Sequence, residues 1–309
     1  MKYKIYKLTF LSGVHFGKQD LSETEATFGS DLLFSALCLE ALQIGKDEFQ
    51  GFYKSVKEGE LKFTDAFPYT GNELYVPKPL IHVEREKSEI SSKQRKAAKK
   101  LKYLPINQMG AYVAGNLDLE KEVQKLGALG KYVEKTAVSI NGVDEPKPYR
   151  IGVFYFQKNC GLYICVAYSK QESLEVFERL LSSLSYTGIG GEKSSGFGRF
   201  SYEAIDAVQS LVEQFEGQYK NYMAVSGCMA SANEMDEILK GACYLLKKRS
   251  GFISSSSMED QNYRKKDFYI FAAGSCFEKK FSGDIFDVSR KGTHPVYRYA
   301  KPMFIGVIK

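Results

Sequence analysis

The stretch from Gly188 to Gly198 constrains this chain more than any other. It reads Gly188-Ile189-Gly190-Gly191-Glu192-Lys193-Ser194-Ser195-Gly196-Phe197-Gly198, with five glycines in eleven residues. A helix-like segment, Gln171 to Leu184, precedes it, and the strand-like Arg199-Phe200-Ser201-Tyr202 follows it. Glycine at this density marks backbone that takes positive φ or approaches something closely. Lys193, Ser194, Ser195 and Arg199 are set among the glycines, so amides, hydroxyls and two cations share one loop. That is the make-up of an anion cradle, and a polyanionic backbone is its natural occupant. The G-x-x-x-x-G-K-[ST] order of a Walker loop is absent. The helix-to-strand polarity is the reverse of a Rossmann turn. A long glycine turn without a ligand is the alternative.

The 309 residues suffice for one large domain or two ordinary ones, and a hydrophobic content of 44% supports a real core. Net charge is +6, and its placement matters more than its size. Residues 85–102 carry Arg85, Lys87, Lys93, Arg95, Lys96, Lys99, Lys100 and Lys102 against Glu86 and Glu89, so the rest of the chain is nearly neutral. In a helix Lys93, Lys96 and Lys100 would share one face. The block is open to three readings: a solvated helix face, a disordered loop or an RNA clamp. The 21 tyrosines are core material and also suit stacking on bases.

The six cysteines include no C-x-x-C pair and the histidines number three, so zinc spacing is absent. Cys38 and Cys165 sit in apolar runs and read as buried thiols of a reducing compartment. The opening segment lacks the apolar centre of a signal peptide, and no apolar run of about 18 residues exists. The expected location is cytoplasmic, with no membrane partner.

Along the chain, Lys2 to Phe10 reads as a strand whose alternation slips once at Ile5-Tyr6, the mark of a bulge. Ser30-Asp31 reads as a cap for a helix over Leu32 to Ile44. Residues 61–83 read as loop and short strands, and Leu117 to Leu126 as helical. Ala137-Val138-Ser139-Ile140 and Arg150 to Phe156 look like strands flanking a polar tip, Asn141 to Tyr149. Leu162 to Tyr168 is a further strand. Beyond 205 strands are expected at Ala224 to Met229, Ala242 to Leu246, Phe268 to Ala272, Ser275 to Phe281 and Met303 to Ile308. The sum is an α+β chain in two halves, 1–205 and 206–309.

The strand, the His15-Phe16-Gly17 loop, the Ser30-Asp31 helix start and the G-x-G-G-x-K-S-S-G-F-G-R-F loop together resemble the RAMP superfamily of CRISPR proteins. Lys248-Arg249-Ser250-Gly251-Phe252, Arg264-Lys265-Lys266-Asp267, Gly274-Ser275-Cys276-Phe277 and His294-Pro295-Val296-Tyr297-Arg298-Tyr299 narrow the resemblance to the fourth Csm subunit of type III-A effector complexes. The resemblance spans essentially the full chain. It implies two ferredoxin-like (RRM-like) domains, a glycine-rich loop and a thumb-like hairpin matched to residues 136–150. It implies a noncatalytic structural subunit that grips the repeat-derived 5′ tag of the crRNA. It also implies docking to the large polymerase/cyclase-type subunit and to the backbone RAMP subunit, with no cofactor and no metal.

The expected RNA contacts are His15, Phe16 and Lys18 in the first loop, and Lys147, Tyr149 and Arg150 at the hairpin tip. In the glycine loop they are Gly190, Gly191, Lys193, Ser194, Ser195, Gly196, Phe197, Gly198 and Arg199. His15 has a second reading as the general acid or base of a metal-independent crRNA-processing ribonuclease, although no partner for it is legible. Asp31 invites a catalytic reading that helix capping answers. A pure protein scaffold, with the RNA held by neighbouring subunits, is the third reading.

Overall fold

The computed structural model describes residues 1–17, 20–83, 92–139, 147–253, 263–290 and 294–308. Its strand Lys2–Phe10 lies inside an antiparallel sheet that has seven strands among the described residues. The order is Phe200–Asp206, Lys2–Phe10, Cys160–Tyr168, Phe67–Thr70, Glu73–Pro77 and Tyr103–Pro105, with Leu61–Phe63 also paired to Cys160–Tyr168. In chain order, Lys2–Phe10 is followed by the helix Ser30–Ile44, five of the sheet's strands from Leu61–Phe63 to Cys160–Tyr168, the helix Gln171–Thr187 and the strand Phe200–Asp206.

No bulge forms at Ile5-Tyr6. Lys2 to Leu8 run in unbroken register against Tyr168 to Leu162, and Lys4 to Phe10 against Asp206 to Phe200. Ile5 and Tyr6 are both buried, on opposite faces of the sheet. A sheet covered on both sides needs no alternation of apolar and polar residues, so the slip in the pattern reports double burial. Cys160–Tyr168 makes the same point, being buried from Cys160 through Ala167.

One face carries the helices. Leu33, Leu37 and Ala41 of Ser30–Ile44 and Phe177, Leu180 and Leu184 of Gln171–Thr187 pack with Tyr6 and Leu8. The helix Lys46–Lys57, which the sequence pattern does not reveal, adds Phe52 and Val56. The other face, with Ile5, Tyr163 and Cys165, is covered by Leu211, Phe215, Met223, Met303 and Ile305. The two halves therefore share a core. Beyond residue 205 the strands Cys276–Phe277, Asn221–Ala224 and Phe304–Ile308 form a small sheet. Two hairpins accompany it, Leu246–Arg249 with Phe268–Phe271 and Asp284–Asp287 with Tyr297–Ala300. The expected strands at Ala224 to Met229 and Ala242 to Leu246 are displaced by several residues. Four-residue strands carry too little local signal to be placed from sequence.

The Gly130–Ser139 and Lys147–Phe156 strands pair from Gly130 opposite Phe156 to Ser139 opposite Lys147. Ten residues per arm make a hairpin of about 33 Å, longer than residues 136–150 suggest. Residues 140–146 of the expected tip lie outside the described residues. The base is anchored by the Val14–Phe154 bridge and by the Gly152 N–H donating to the Leu21 carbonyl at 2.8 Å. In the basic block, Ser92–Lys100 is a helix held by buried Ala97, with Lys93, Lys96 and Lys100 exposed. Residues 84–91 lie outside the described residues.

Candidate nucleic-acid interface

A cleft of about 780 Å³ opens where the two halves meet. Its first-half side is built by His15, by Gly190 and Gly191 of the glycine loop, and by the start of the Ser30–Ile44 helix. Its second-half side is built by Lys247, Lys248 and Arg249 on a hairpin strand, with Lys265 and Arg298. Lys78 and Lys102 also line it. Among the described residues seven cations and three carboxylates, Glu25, Asp31 and Asp65, line the cleft, and Lys248 also pairs with Asp267 at 2.8 Å.

At the base of the cleft, Ser30 and Asp31 are not the helix cap the sequence suggested. Gly29 occupies the cap position and offers no side-chain bond. Asp31, 2% exposed, accepts from Arg249 Nη2 at 2.8 Å and from Arg298 Nη1 at 2.6 Å. Burial works against its ionisation, yet the two guanidinium groups prevail and hold its carboxyl below the usual range. Ser30 instead donates its N–H and its hydroxyl to Asp65 Oδ1, each at 2.8 Å. The Gly227 N–H donates to the same oxygen at 2.9 Å. Asp65 has no direct salt bridge among the described residues, and burial pushes its carboxyl up despite these bonds. A Cβ at Gly29 would lie 2.3 Å from Arg249 Nη2 and 2.6 Å from Asp31 Oδ1, so a larger residue there would displace this pair. Asp31 and Asp65 therefore tie the helix start to three segments of the second half.

His15 is 4% exposed, and its Nδ1 donates to the Gly152 carbonyl at 2.7 Å. A carbonyl only accepts, so Nδ1 carries a proton and is committed to this bond. The ring edge abuts Gly191, where a Cβ would come within 2.7 Å of Cδ2. Phe16 does not present the stacking face expected of it. It is 4% exposed and packs on Phe28 and Phe10, with ring centroids 5.0 and 6.0 Å away. A ring used to close a core has no free face for a base. Lys18 lies outside the described residues.

The glycine loop spends many of its amides on its own closure. Ile189 N–H donates to Gly198 O, Gly198 N–H to Gly13 O and Gly191 N–H to His15 O, at 2.9–3.0 Å. Ser195 and Gly196 N–H donate to Glu192 and Lys193 carbonyls. These five amides are occupied, so the expected cradle does not extend to them. Gly190 and Gly191 reach the cleft. Lys193, Ser194 and Ser195 form a 3₁₀ turn beyond it, between the left-handed residues Glu192 and Gly196. Phe197 faces the hairpin base, with Lys135 Nζ 5.2 Å from its ring centroid, and Arg199 is exposed. Lys147 opens the second hairpin arm, Tyr149 is half-buried, and Arg150 pairs with Glu134 at 3.1 Å on the surface. The expected contacts therefore fall into separate groups: His15, Phe16, Gly190 and Gly191 line the cleft, Phe197 lies beside Lys135 of the hairpin, and Lys147, Tyr149 and Arg150 stand on its second arm.

Gly198 has φ of 77°, and a Cβ would lie 2.2 Å from the Ile189 carbonyl oxygen. Gly198→Val is expected to cost at least about 2 kcal/mol, from the left-handed backbone alone. The check is thermal denaturation of the variant against the parent.

Sequence reasoning missed Lys102, Lys247, Arg249, Lys265 and Arg298 as one basic surface. The available signals were the runs Lys247-Lys248-Arg249 and Arg264-Lys265-Lys266. No group of three or more His, Cys, Asp or Glu side chains suited to a metal ion occurs among the described residues.

Comparison with known proteins first defines the class. Residues 11–201 match the model of the RAMP superfamily, and residues 217–307 match the model of the CRISPR Csm4 C-terminal domain. The "CRISPR system Cms protein Csm4" of Mycobacterium tuberculosis (strain CDC 1551 / Oshkosh) is 37% identical over 308 residues, covering 99% of this chain and 98% of the relative. The protein of the same name from Streptococcus thermophilus is 32% identical, with 98% of each covered. The chain belongs to the Csm4 family. Among solved structures, one described as the Csm3-Csm4 subcomplex in the type III-A CRISPR-Cas interference complex matches with a TM-score of 0.68 at 17% identity, covering 99% of each chain. The Csm1-Csm4 cassette in complex with AMPPNP gives 0.58 at 17% identity, covering 99% of this chain and 98% of that one. These likenesses establish a shared α+β fold. No helix among the described residues is long and apolar enough to cross a membrane.

Proposed function

We propose that this chain is the subunit of a type III-A CRISPR effector complex that holds the 5′ repeat-derived tag of the crRNA. It does so without chemistry of its own, and its neighbours are a Csm1-type large subunit and a Csm3-type backbone subunit. Its relatives carry the Csm4 name, and the solved neighbours are described as assembled with Csm3 and with Csm1. The observation that carries the RNA assignment is the cleft at the junction of the halves, where, among the described residues, seven cations and three carboxylates line the wall. A single-stranded nucleic acid suits such a groove, because the cations answer its phosphates.

The two halves, 1–205 and 206–309, correspond in this reading to two ferredoxin-like RAMP domains. In an isolated RRM, aromatic residues on the sheet face stack on bases. Here both faces of the large sheet are buried, which leaves the cleft and the long hairpin for RNA. The hairpin Gly130–Ser139/Lys147–Phe156 serves as the thumb at the boundary between tag and guide, with Lys147, Tyr149 and Arg150 on its second arm. In this reading Lys193 and Arg199 meet the RNA as it passes from cleft to hairpin. The ribonuclease reading of His15 is disfavoured by burial of the ring and by the commitment of Nδ1 to Gly152.

Photocrosslinking tests this reading. A guide carrying 4-thiouridine at successive tag positions, assembled into the complex, is expected to crosslink to this chain at the 247–249 segment and beside Gly190-Gly191. The chain alone is expected to leave repeat-containing RNA uncut. Crosslinks confined to the neighbouring subunits, or cleavage that His15→Ala abolishes, would overturn the proposal.

A further inference from the structure

The inner end of the cleft is not electrically balanced. Arg298 is 8% exposed, and both its Nε and that of Arg249 are buried with no hydrogen-bond partner among the described residues. Each guanidinium gives one side to Asp31 and leaves this second donor unused. Lys265 lines the same end, half-buried, and its ammonium makes no ion pair among the described residues. Burial and the neighbouring Arg298 both push its pKa down. Asp65, the other acid close by, is committed to Ser30 and Gly227 and lacks a direct pair with these cations. Among the described residues, Asp31 thus bonds the two arginines while Lys265 stands beside them unpaired. An unsatisfied buried donor costs about 1–3 kcal/mol, and more when charged. Unpaired buried charge is costlier still.

We infer that Arg249, Arg298 and Lys265 form a seat for one phosphoryl group, with Asp31 bracing the two guanidinium groups from behind. The inference rests on the reading of the cleft as an RNA groove and assigns it an innermost contact. A tetrahedral phosphoryl group has the oxygens that the two free Nε–H donors and the ammonium lack. Both an internal RNA phosphodiester and a free phosphate carry that chemistry.

Lys265→Gln is the informative variant, because its side chain makes no hydrogen bond or ion pair among the described residues and its loss leaves the Asp31 pairs in place. Binding of repeat-derived single-stranded RNA to the full chain is measured across a salt series. Thermal stability is measured with inorganic pyrophosphate. Lys265→Gln is expected to weaken RNA binding about fivefold or more and to flatten the salt slope by about 0.7, one single-strand phosphate. An RNA effect without pyrophosphate stabilisation supports a phosphodiester seat. Pyrophosphate stabilisation that Lys265→Gln removes, with RNA binding unchanged, supports a seat for free phosphate. If RNA affinity, salt slope and pyrophosphate response all match the parent, the seat is overturned. Should Lys102→Glu/Lys247→Glu still weaken RNA binding in that case, the cleft reading survives its loss; should it not, the cleft reading falls as well.

Discussion

Asp31→Ala is expected to destabilise the chain by about 3–5 kcal/mol, the range seen when one partner of a buried ion pair is removed. Asp31 is the carboxylate bonded to both Arg249 and Arg298, at 2.8 and 2.6 Å. Its loss leaves two largely buried guanidinium groups facing each other and Lys265 without a compensating charge. Thermal denaturation should show a drop on the order of 10 °C for a chain of this size. A surface pair provides the contrast: Arg150 and Glu134 are 70% and 50% exposed, and Glu134→Ala should cost no more than about 1 kcal/mol. The dependence on pH follows from the direction of the shift. The folded-state pKa of Asp31 lies below the ordinary value of 3.8, so its stabilisation is complete above that value and is lost as pH falls through the lowered one. Asp31→Ala should therefore lose its deficit relative to the parent only in strong acid. A variant that melts with the parent at pH 7 would remove Asp31 from the frame of the cleft.

Lys102→Glu combined with Lys247→Glu should lower affinity for tag RNA by one to two orders of magnitude at low salt while leaving the fold intact. Both side chains are exposed on the cleft wall, one from each half, and neither forms an ion pair among the described residues. Each cation that faces a phosphate contributes about 0.7 to the salt slope of single-strand binding. The double variant should therefore flatten that slope by about 1.4, and reversal adds repulsion to the loss. Fluorescence anisotropy across a salt series separates this from a general loss of folded protein, which would lower active fraction without changing slope. An unchanged slope would place the RNA elsewhere.

The first half was the more legible in sequence. Lys2–Phe10, Cys160–Tyr168 and the helices Ser30–Ile44 and Gln171–Thr187 are long elements with apolar periodicity, and each was placed within a few residues. The second half depends on four-residue strands that gain their conformation from packing. The helix Ala232–Ile238 was overlooked although Ser231 and Glu234 form a capping box that stands in the sequence. The candidate site was legible only in fragments. Ser30-Asp31 before an apolar run looks the same as a helix cap, while the true partners of Asp31 lie 218 and 267 residues away. Phe16 in a glycine-flanked loop looked like a base-stacking residue because nothing local announces the pocket of phenylalanines that takes it in. The basic block 85–102 is the densest, yet among the described residues it gives the cleft only Lys102, and five of the other cations there come from the second half.

The sheet buried on both faces also sets a schedule for synthesis. Ile5, Tyr163 and Cys165 are covered by Met223, Met303 and Ile305. About 140 residues separate Cys165 from Ile305, and at about 5–20 residues per second the ribosome takes roughly 7–28 s to supply them. During that interval the helix-backed face lacks only Ile285 and Tyr299 of its core, while the opposite face has Leu101, Leu104, Met109 and Tyr112 but none of the cover that the second half supplies. A nascent chain in that condition is a substrate for chaperones and for association with other nascent chains. Yield should therefore respond to translation speed and chaperone supply more than to surface substitutions, since the vulnerable species is the half-made sheet rather than the finished subunit.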